Sequence, residues 1–512
     1  MIEPKPHPKR LPRWLGRLAR WSLGLVLALW LMVAAVWGVL HGWIVPRIGE
    51  WRPQLQALAT RSLGIPVTIG AISAQSSGVI PSFELRDVVL HDPGNGSKAL
   101  HLSKVMIAVS AHSLMTLGVE QIYIEAPELA VRRSADGKLY VAGLPIDRPG
   151  GGDSRLTDWL FSQPEVALRH GSVQWVDELR QAPPLQLTQV DLVIRNKGWQ
   201  HQVRFDASPP PDWGQRFTIM GRFSEPLLSI HEGRIERWSG KAFADFGHID
   251  LSALSPYLDP QSWQLQQGRG AIRAWLELRQ GQPVGLLADV SIDALQVQWR
   301  DRDKPLHLQS LQGRFDIQHR QDYRLAVQGL SFTTGDGMQW PKGDIKASYS
   351  PTGTREQGRL GEHGQVQVDG VDIGIATQLL LRLPLPESAH GQLAALAPQG
   401  LLRQARWSWR GPVDAPVTYK AQGRVENLRL QAQPSHEGPD VLGIPGVQGL
   451  SASFELDQDS GQAQLEKSAA SQALVLSLPG MFELPDVGFD QFRSQLRWQI
   501  KGQAIQAQMP DL

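Results

Sequence analysis

The chain has 512 residues, 50 glycines, 36 prolines and no cysteine, and its formal net charge is +1. The lack of cysteine excludes a disulfide framework, thiolate metal sites and a cysteine nucleophile. Since no dense Lys/Arg cluster follows the first twenty residues, we expect no nucleic-acid binding, which depends on neutralising phosphates.

The first element is an apolar segment behind a basic flank. Residues 1–20 hold one acid, Glu3, and six basic residues: Lys5, Lys9, Arg10, Arg13, Arg17 and Arg20. Trp21–Leu40 is apolar apart from Ser22, and a helix of this length spans roughly 30 Å, the thickness of a hydrocarbon core. We predict a single membrane span at residues 21–43, with the flank in the cytoplasm. A cleaved signal peptide is the alternative, but its apolar region would be shorter.

The next segment, Pro46–Leu63, predicts a short amphipathic helix close to the membrane. Its apolar positions fall near one face: Ile48, Trp51, Leu55 and Leu58. Pro53 is expected to interrupt or kink the helix, and Gly64 to end it. Two positions stay open for this helix, on the bilayer surface or against the end of a sheet.

Alternation of apolar and polar residues dominates the chain from Val67 onwards. Clear examples are Phe83–Leu85, Val105–Val109, Ile122–Ile124, Leu295–Trp299 and Tyr323–Val327. Strict alternation predicts strands with one apolar and one wet face, and glycines between the runs predict turns. Helical spacing interrupts the pattern between about Ala376 and Ala397, where Pro384 and Pro386 predict two short helices.

The expected organisation has five parts. Residues 1–20 form the cytoplasmic flank and 21–43 the anchor. Residues 44–149 hold the amphipathic helix and the first strands, 150–360 a repetitive sheet, and 361–512 further sheet with the inserted helices. Pro149–Gly152 is the best candidate for a linker.

Catalytic motifs are absent from the sequence. There is no G-x-S-x-G elbow, H-E-x-x-H pair, P-loop or G-x-G-x-x-G loop, and fourteen histidines are spread singly. We therefore expect no enzyme activity, catalytic residue, metal site or cofactor. Distant carboxylates can still meet in a fold, so an enzyme acting on envelope polymers is kept as a minor alternative.

A one-sided apolar sheet of this size has two physical solutions. Its apolar faces pack on one another in sandwiches or solenoids, or the sheet curls into an open trough whose apolar face is covered by lipid acyl chains. The residue pattern alone leaves both solutions open.

Several stretches in chain order resemble AsmA-like envelope proteins, and more closely those of the YhdP type. They are Leu63–Gly70, Pro81–Leu90, Ile122–Arg133, Asp136–Leu139, Leu393–Gly400, Trp407–Gly411 and Ile444–Phe454. The resemblance implies an elongated, curled antiparallel β-groove, with a chorein-like start that follows one transmembrane helix. It also implies a single-pass protein of the bacterial inner membrane, with the N-terminus cytoplasmic and the bulk of the chain periplasmic.

The same resemblance implies a bridge-like function, the transfer of phospholipid towards the outer membrane, with an outer-membrane or periplasmic protein as a further partner. We expect lipid to enter along the apolar members of the first strands: Val67, Ile69, Phe83, Leu85, Ile122, Ile124, Leu129 and Val131. An aspartate at Leu85 is expected to block passage and leave the fold largely intact.

Two further expectations stay open. An envelope-assembly scaffold that binds proteins through strand edges is the alternative function. Members of the family are usually longer, and the sequence reaches Leu512 without an evident cap. Either the chain is the N-terminal part of a longer protein, or a partner completes the route.

Overall fold

The computed structural model describes residues 13–39, 42, 45–75, 82–92, 96–109, 119–145, 155–226, 237–257, 263–300, 305–351, 361–381, 387–413, 415–435, 443–502 and 504–509. Within them, 27 strands join into one long open sheet with few short helices, which confirms the mainly β fold class. Lys5, Lys9, Arg10 and the Pro149–Gly152 linker lie outside the described residues. The boundaries expected near residues 150 and 360 border such segments and stay predictions.

The helices are short except for the first. They are α1 (Arg13–Val39), α2 (Arg52–Leu63), α3 (Arg155–Ser162), α4 (Ile373–Leu380) and α5 (Glu387–Leu396), with 3₁₀ helices at Val45–Trp51 and Ser252–Tyr257. Helices α4 and α5 confirm the two that the prolines predict. Helix α3 follows the glycine-rich segment and was not predicted.

The strands fill most of the remaining chain. They are β1 (Val67–Gln75), β2 (Ser82–His91), β3 (Lys98–Ala108), β4 (Gln121–Glu125), β5 (Glu128–Arg133), β6 (Leu139–Val141), β7 (Leu144–Pro145), β8 (Glu165–Asp177), β9 (Ala182–Lys197), β10 (Gln200–Ser208), β11 (Phe217–Ser224), β12 (Ser239–Asp250), β13 (Trp263–Arg279) and β14 (Gln282–Trp299). They continue with β15 (Leu306–His319), β16 (Tyr323–Thr334), β17 (Gln339–Ser350), β18 (His363–Asp369), β19 (Val371–Asp372), β20 (Gln399–Arg410), β21 (Thr418–Leu430), β22 (Gly446–Asp457), β23 (Ser460–Lys467), β24 (Leu474–Ser477), β25 (Asp486–Phe489), β26 (Arg493–Lys501) and β27 (Ala504–Gln508).

The chain divides into two compact units. The first comprises residues 1–176, 186–205 and 227–234, and the second comprises residues 177–185, 206–226 and 235–512. The sheet is mixed and not purely antiparallel as expected, because β4 and β8 run parallel with Ile122 opposite Val166. A parallel pair needs a long connection, which β5, β6, β7 and α3 supply here.

In the first unit, helix α2 covers the edge of β1 that β2 leaves open. The Val67 N–H donates to the Thr60 hydroxyl (3.0 Å), and the Ile69 N–H donates to the Gln56 side chain (3.3 Å). The Arg52 guanidinium donates to the Gly70 carbonyl (2.9 Å). Free strand edges invite pairing with other chains, so these contacts protect this end of the sheet.

Local backbone chemistry sets the bounds of α2. Pro53 lies in the first turn, where its missing N–H costs no helical hydrogen bond, so it starts the helix and does not kink it. Gly64 ends the helix as expected, with a left-handed φ of 67°.

Single residues with left-handed backbone interrupt many of the long strands. In four of them a side chain of another strand accepts a hydrogen bond from the interrupting N–H. His170 (φ 54°) donates to Asp191 at 3.0 Å, Gly329 (φ 59°) to Asp344 at 2.8 Å, Gln404 (φ 48°) to Asp369 at 3.2 Å, and Asn427 (φ 52°) to Ser451 at 3.3 Å. We call these four positions the strand kinks. The strand register shifts at Gly329, Gln404 and Asn427, and the N–H of all four kinks stays paired.

Substitution of Asp344 tests the stabilising role of these bonds. Asp344→Ala removes the acceptor of the Gly329 N–H, and we expect a loss of about 1–3 kcal/mol in the free energy of unfolding. Asp344→Asn keeps a side-chain oxygen and should retain most of the stability. Chemical denaturation of the full chain measures both variants.

Asp322→Ala is the matched control, since Asp322 forms an exposed ion pair of 3.8 Å with Arg324. Equal losses for Asp344→Ala and Asp322→Ala would contradict a stabilising role for the kink bond.

Candidate functional site

Two cross-strand rows in the second unit form a continuous apolar surface on one face of the sheet. The first row contains Leu276, Leu286, Ile317, Leu325, Ala347, Val366, Trp407 and Ala421, each opposite the next. The second row contains Ala274, Ala288, Phe315, Val327, Ile345, Val368 and Ala405. We call this surface the apolar lane. Eight strands about 4.8 Å apart give it a length of roughly 34 Å, close to that of a hydrocarbon core.

The opposite face of the same strands is polar. Its row adjacent to the lane contains Glu277, Gly285, Gln318, Arg324, Ser348, Gln365, Ser408 and Lys420. Successive residues of a strand point to opposite faces, so Ile317 and Gln318, or Leu325 and Arg324, are neighbours in sequence on different sides of the sheet.

Charged pairs lie on this outer face. Asp245, Arg273, Asp289 and Arg314 lie opposite one another in successive strands, β12 to β15. Arg314 binds Asp289 through two hydrogen bonds, at 2.6 and 2.8 Å. The Arg314 hydrogen bond holds the pKa of Asp289 below its ordinary value, and Arg273 adds to this effect. Charged side chains are rarely fully buried, so a face that carries such pairs is expected to be in contact with water.

The lane is open where it reaches the hairpin between β15 and β16. Ile317 is 44% exposed and Leu325 is 38% exposed, although both belong to the apolar face. A second sheet packed on this face would cover them. The exposure of the two side chains therefore favours a trough over a closed sandwich in this part of the second unit.

The other halves of these strands are closed by helix α4. Leu308, Phe332, Trp340 and Ile375 form a buried cluster, and Ile375 belongs to the helix. Asp372 caps α4 by accepting a hydrogen bond from the Ile375 N–H at 3.0 Å. The same strands thus carry a packed core at one end and the open lane at the other.

Aromatic rings follow one border of the lane, where the hairpins turn. His319 stacks on Tyr323 (4.2 Å between ring centroids), Tyr323 on Tyr349 (6.4 Å), and Tyr349 on Trp409 (6.5 Å), while Trp407 stacks on Trp409 (4.5 Å). Tyr and Trp combine an apolar ring with a polar tip. The border is therefore chemically intermediate between the lane and water.

Two glycines of the sheet, Gly364 beside the lane and Gly461 in β23, make room for tryptophans. A Cβ on Gly364 would lie 2.2 Å from Cζ2 of Trp409, and one on Gly461 would lie 2.1 Å from Cζ2 of Trp498. Each glycine is opposite its tryptophan in the neighbouring strand. Indole rings therefore occupy the space above both glycines.

One apolar patch breaks the polarity of the outer face. Met220, Phe243, Trp275 and Leu287 lie opposite one another in β11 to β14, and Met220 and Trp275 are each 38% exposed. The Phe243 and Trp275 rings lie 5.1 Å apart. The contrast between the two faces is therefore sharpest from β15 onwards.

The predicted groove residues of the first strands lie in a more closed setting. Leu85 and Ile124 both face Val105, and Phe83 and Ile122 both face Ile107, so these four share one face. Five of the eight are buried: Val67, Ile69, Phe83, Leu85 and Ile122. Ile124, Leu129 and Val131 are partly buried. Their role in lipid entry stays a prediction.

Burial changes the expected effect of a charge at Leu85. This side chain is 5% exposed, so Leu85→Asp would place an unpaired carboxylate in a core and destabilise the first unit. Burial therefore argues against the expectation that such a variant keeps its fold. A test of a groove belongs on the open lane.

The four residues predicted to share the face of the membrane-proximal helix divide between two sides. Ile48 is buried and Leu55 partly buried, whereas Trp51 is 37% exposed and Leu58 is 48% exposed. The 3₁₀ turn before α2 breaks the helical spacing that the sequence pattern assumed.

Helix α1 contains the one candidate membrane span found among the described residues, Arg20–Val39. Its apolar side chains are exposed, for example Leu25, Leu29 and Trp30. Length and composition are those of a single-pass anchor.

The model of one protein family, described as YhdP protein, matches residues 1–512. The chain belongs to the YhdP family. Neither the curated proteins nor the solved structures contain a match. Membership of the YhdP family indicates an envelope-associated protein, and it confirms the resemblance drawn from the short stretches between Leu63 and Phe454.

Gly364→Ala tests the packing at the aromatic border. The added methyl group would displace Trp409, and we expect a loss of about 1–3 kcal/mol in stability together with a weaker stack between Trp407 and Trp409. Near-ultraviolet circular dichroism reports the stack, and thermal unfolding reports the stability.

Gly285→Ala is the control in the same sheet, because its Cβ would meet only ordinary contacts, the nearest at 3.6 Å. If both variants behave alike, the close approach of Trp409 to Gly364 does not constrain the border.

Proposed function

We propose that this protein is anchored by α1 in the bacterial inner membrane and carries phospholipid acyl chains along the apolar lane, towards the outer membrane. The bulk of the chain lies in the periplasm and the N-terminus in the cytoplasm. The observation that carries the proposal is an apolar face left open at Ile317 and Leu325 beside a charged outer face.

The energetics of lipid transfer explain what such a surface can do. Each methylene exposed to water costs about 0.8 kcal/mol, so two long acyl chains make unaided transfer very slow. A continuous apolar row lets the chains leave one contact as they enter the next, with little change in exposed area. The headgroup stays in water beyond the aromatic border. No catalytic group or cofactor is needed for this process.

Other parts of the proposal rest on different support. The basic flank before Trp21 supports the cytoplasmic N-terminus, because Lys and Arg resist translocation. The outer membrane as destination, and a protein partner there or in the periplasm, rest on what the family resemblance implies. The first strands remain the proposed entrance, with the lane as the surface along which lipid moves.

The alternative scaffold function would use free strand edges. At β1 that edge is occupied by side chains of α2, among them Gln56 and Thr60. Because α2 already occupies this edge, a partner protein is less able to pair with β1 there. We therefore favour lipid transfer over the scaffold function.

A matched pair of double variants tests the lane. Ile317→Asp with Leu325→Asp places two charges on one cross-strand pair of the apolar face. Gln318→Asp with Arg324→Asp places two charges on the adjacent pair of the outer face. We expect phospholipid that co-purifies with the full chain to fall strongly for the first double variant and to stay unchanged for the second. Lipid extraction and mass spectrometry measure the number of phospholipids per chain.

We expect circular dichroism to show that both variants keep their strands, because the substituted positions are at least partly exposed. A folded wild-type chain without lipid, or equal lipid in the two double variants, would refute the lane as a lipid-binding surface and would favour the scaffold.

A further inference from the structure

Helix α2 contacts β1 and also α3, and several of its side chains stay exposed beside these contacts. Gln56 and Thr60 point to the strand edge, whereas Leu58 is 48% exposed. Trp51, the last residue of the 3₁₀ helix before α2, is 37% exposed as well. Arg61 and Gln54 of α2 are also exposed. The segment formed by the 3₁₀ helix and α2 therefore exposes two large apolar side chains together with polar neighbours.

The chain length between α1 and α2 limits where this face can be. Residues 40–44 connect the end of α1 at Val39 to the 3₁₀ helix that begins at Val45. Fully extended, this connection reaches about 20 Å. If α1 spans a membrane, α2 stays near that membrane's surface in every conformation of the connection.

The charges of the segment match an anionic surface. Between residues 45 and 63 the charged side chains are Arg47, Glu50, Arg52 and Arg61, which leaves a positive excess. Arg47 and Arg61 are exposed, whereas Arg52 donates to the edge of β1. Trp and Leu beside exposed Arg is the composition of helices that lie in the headgroup region of anionic bilayers.

We propose that the exposed side chains of α2 and of the 3₁₀ helix before it, among them Trp51, Leu58, Arg47 and Arg61, lie on the anionic phospholipid surface next to the end of α1. The helix then contacts the bilayer with one face and the edge of β1 with the other, and so holds the first strand beside the membrane. This inference rests on the membrane anchor of the proposed function. It does not depend on whether the lane carries lipid.

The test uses the lack of cysteine in the chain, which lets a single introduced cysteine carry the only spin label. The full chain is labelled at Leu58→Cys, Trp30→Cys or Arg324→Cys. It is reconstituted in nanodiscs of phosphatidylcholine with phosphatidylglycerol, or of phosphatidylcholine alone. Electron paramagnetic resonance compares the accessibility of each label to oxygen, which enters bilayers, and to a nickel chelate, which stays in water.

We expect the Leu58 label to shift towards oxygen accessibility in phosphatidylglycerol nanodiscs, with the Trp30 label in the bilayer and the Arg324 label in water. Arg47→Gln with Arg61→Gln should reduce the Leu58 shift. If the Trp30 label is in the bilayer and the Leu58 label is as accessible to nickel as the Arg324 label, this inference fails and the anchor stands. A Trp30 label in water would overturn both the membrane anchor and the placement of α2 on the bilayer.

Discussion

The structure depends on the register between strands more than on any single contact. Side chains alternate in direction along a strand, so a face stays apolar only if every neighbouring strand presents its apolar residues in phase. From Leu276 to Ala421 this phase is kept across eight strands. The outer face obeys the same constraint, since Asp289 meets Arg314 only when Leu286 meets Ile317. The apolar face and the charged face are thus two results of one alignment.

The kink at Gly329 separates two environments along one strand. In β16, Leu325 on one side of Gly329 is open, whereas Phe332 on the other side is buried with Trp340 and Ile375. The kink offsets the strand by a residue, and the Asp344 carboxylate accepts the N–H that the offset would leave unpaired. The protein can therefore combine a core that gives stability with an open surface that is available for binding, without adding a second sheet.

The sequence pattern predicts much of this architecture, because its main signals are local. Alternation identifies the strands, the apolar run identifies α1, and Pro384 and Pro386 separate α4 from α5. Local sequence patterns do not predict the strand kinks, since the left-handed backbone of Gln404 and Asn427 depends on the neighbouring strands. The parallel pairing of β4 with β8 likewise joins residues that are far apart in the sequence, so local patterns do not predict it.

The candidate site shows the same limit. Apolar and polar residues alternate both in the first strands, between Val67 and Val131, and around Ile317. Only the structure shows that the apolar side chains are mostly buried in the first segment and open in the second.

The strand kinks also restrict how such a chain can change its length during evolution. Deletion of one residue between a kink and a turn would exchange the two faces of that half-strand, so that charged side chains would enter the lane. Insertion of a complete hairpin, with its own kinks, leaves the apolar and polar residues of every existing strand on the faces that they occupy now. Homologues of different length should therefore differ by pairs of strands, and each added hairpin lengthens the row of neighbouring strands by about 10 Å.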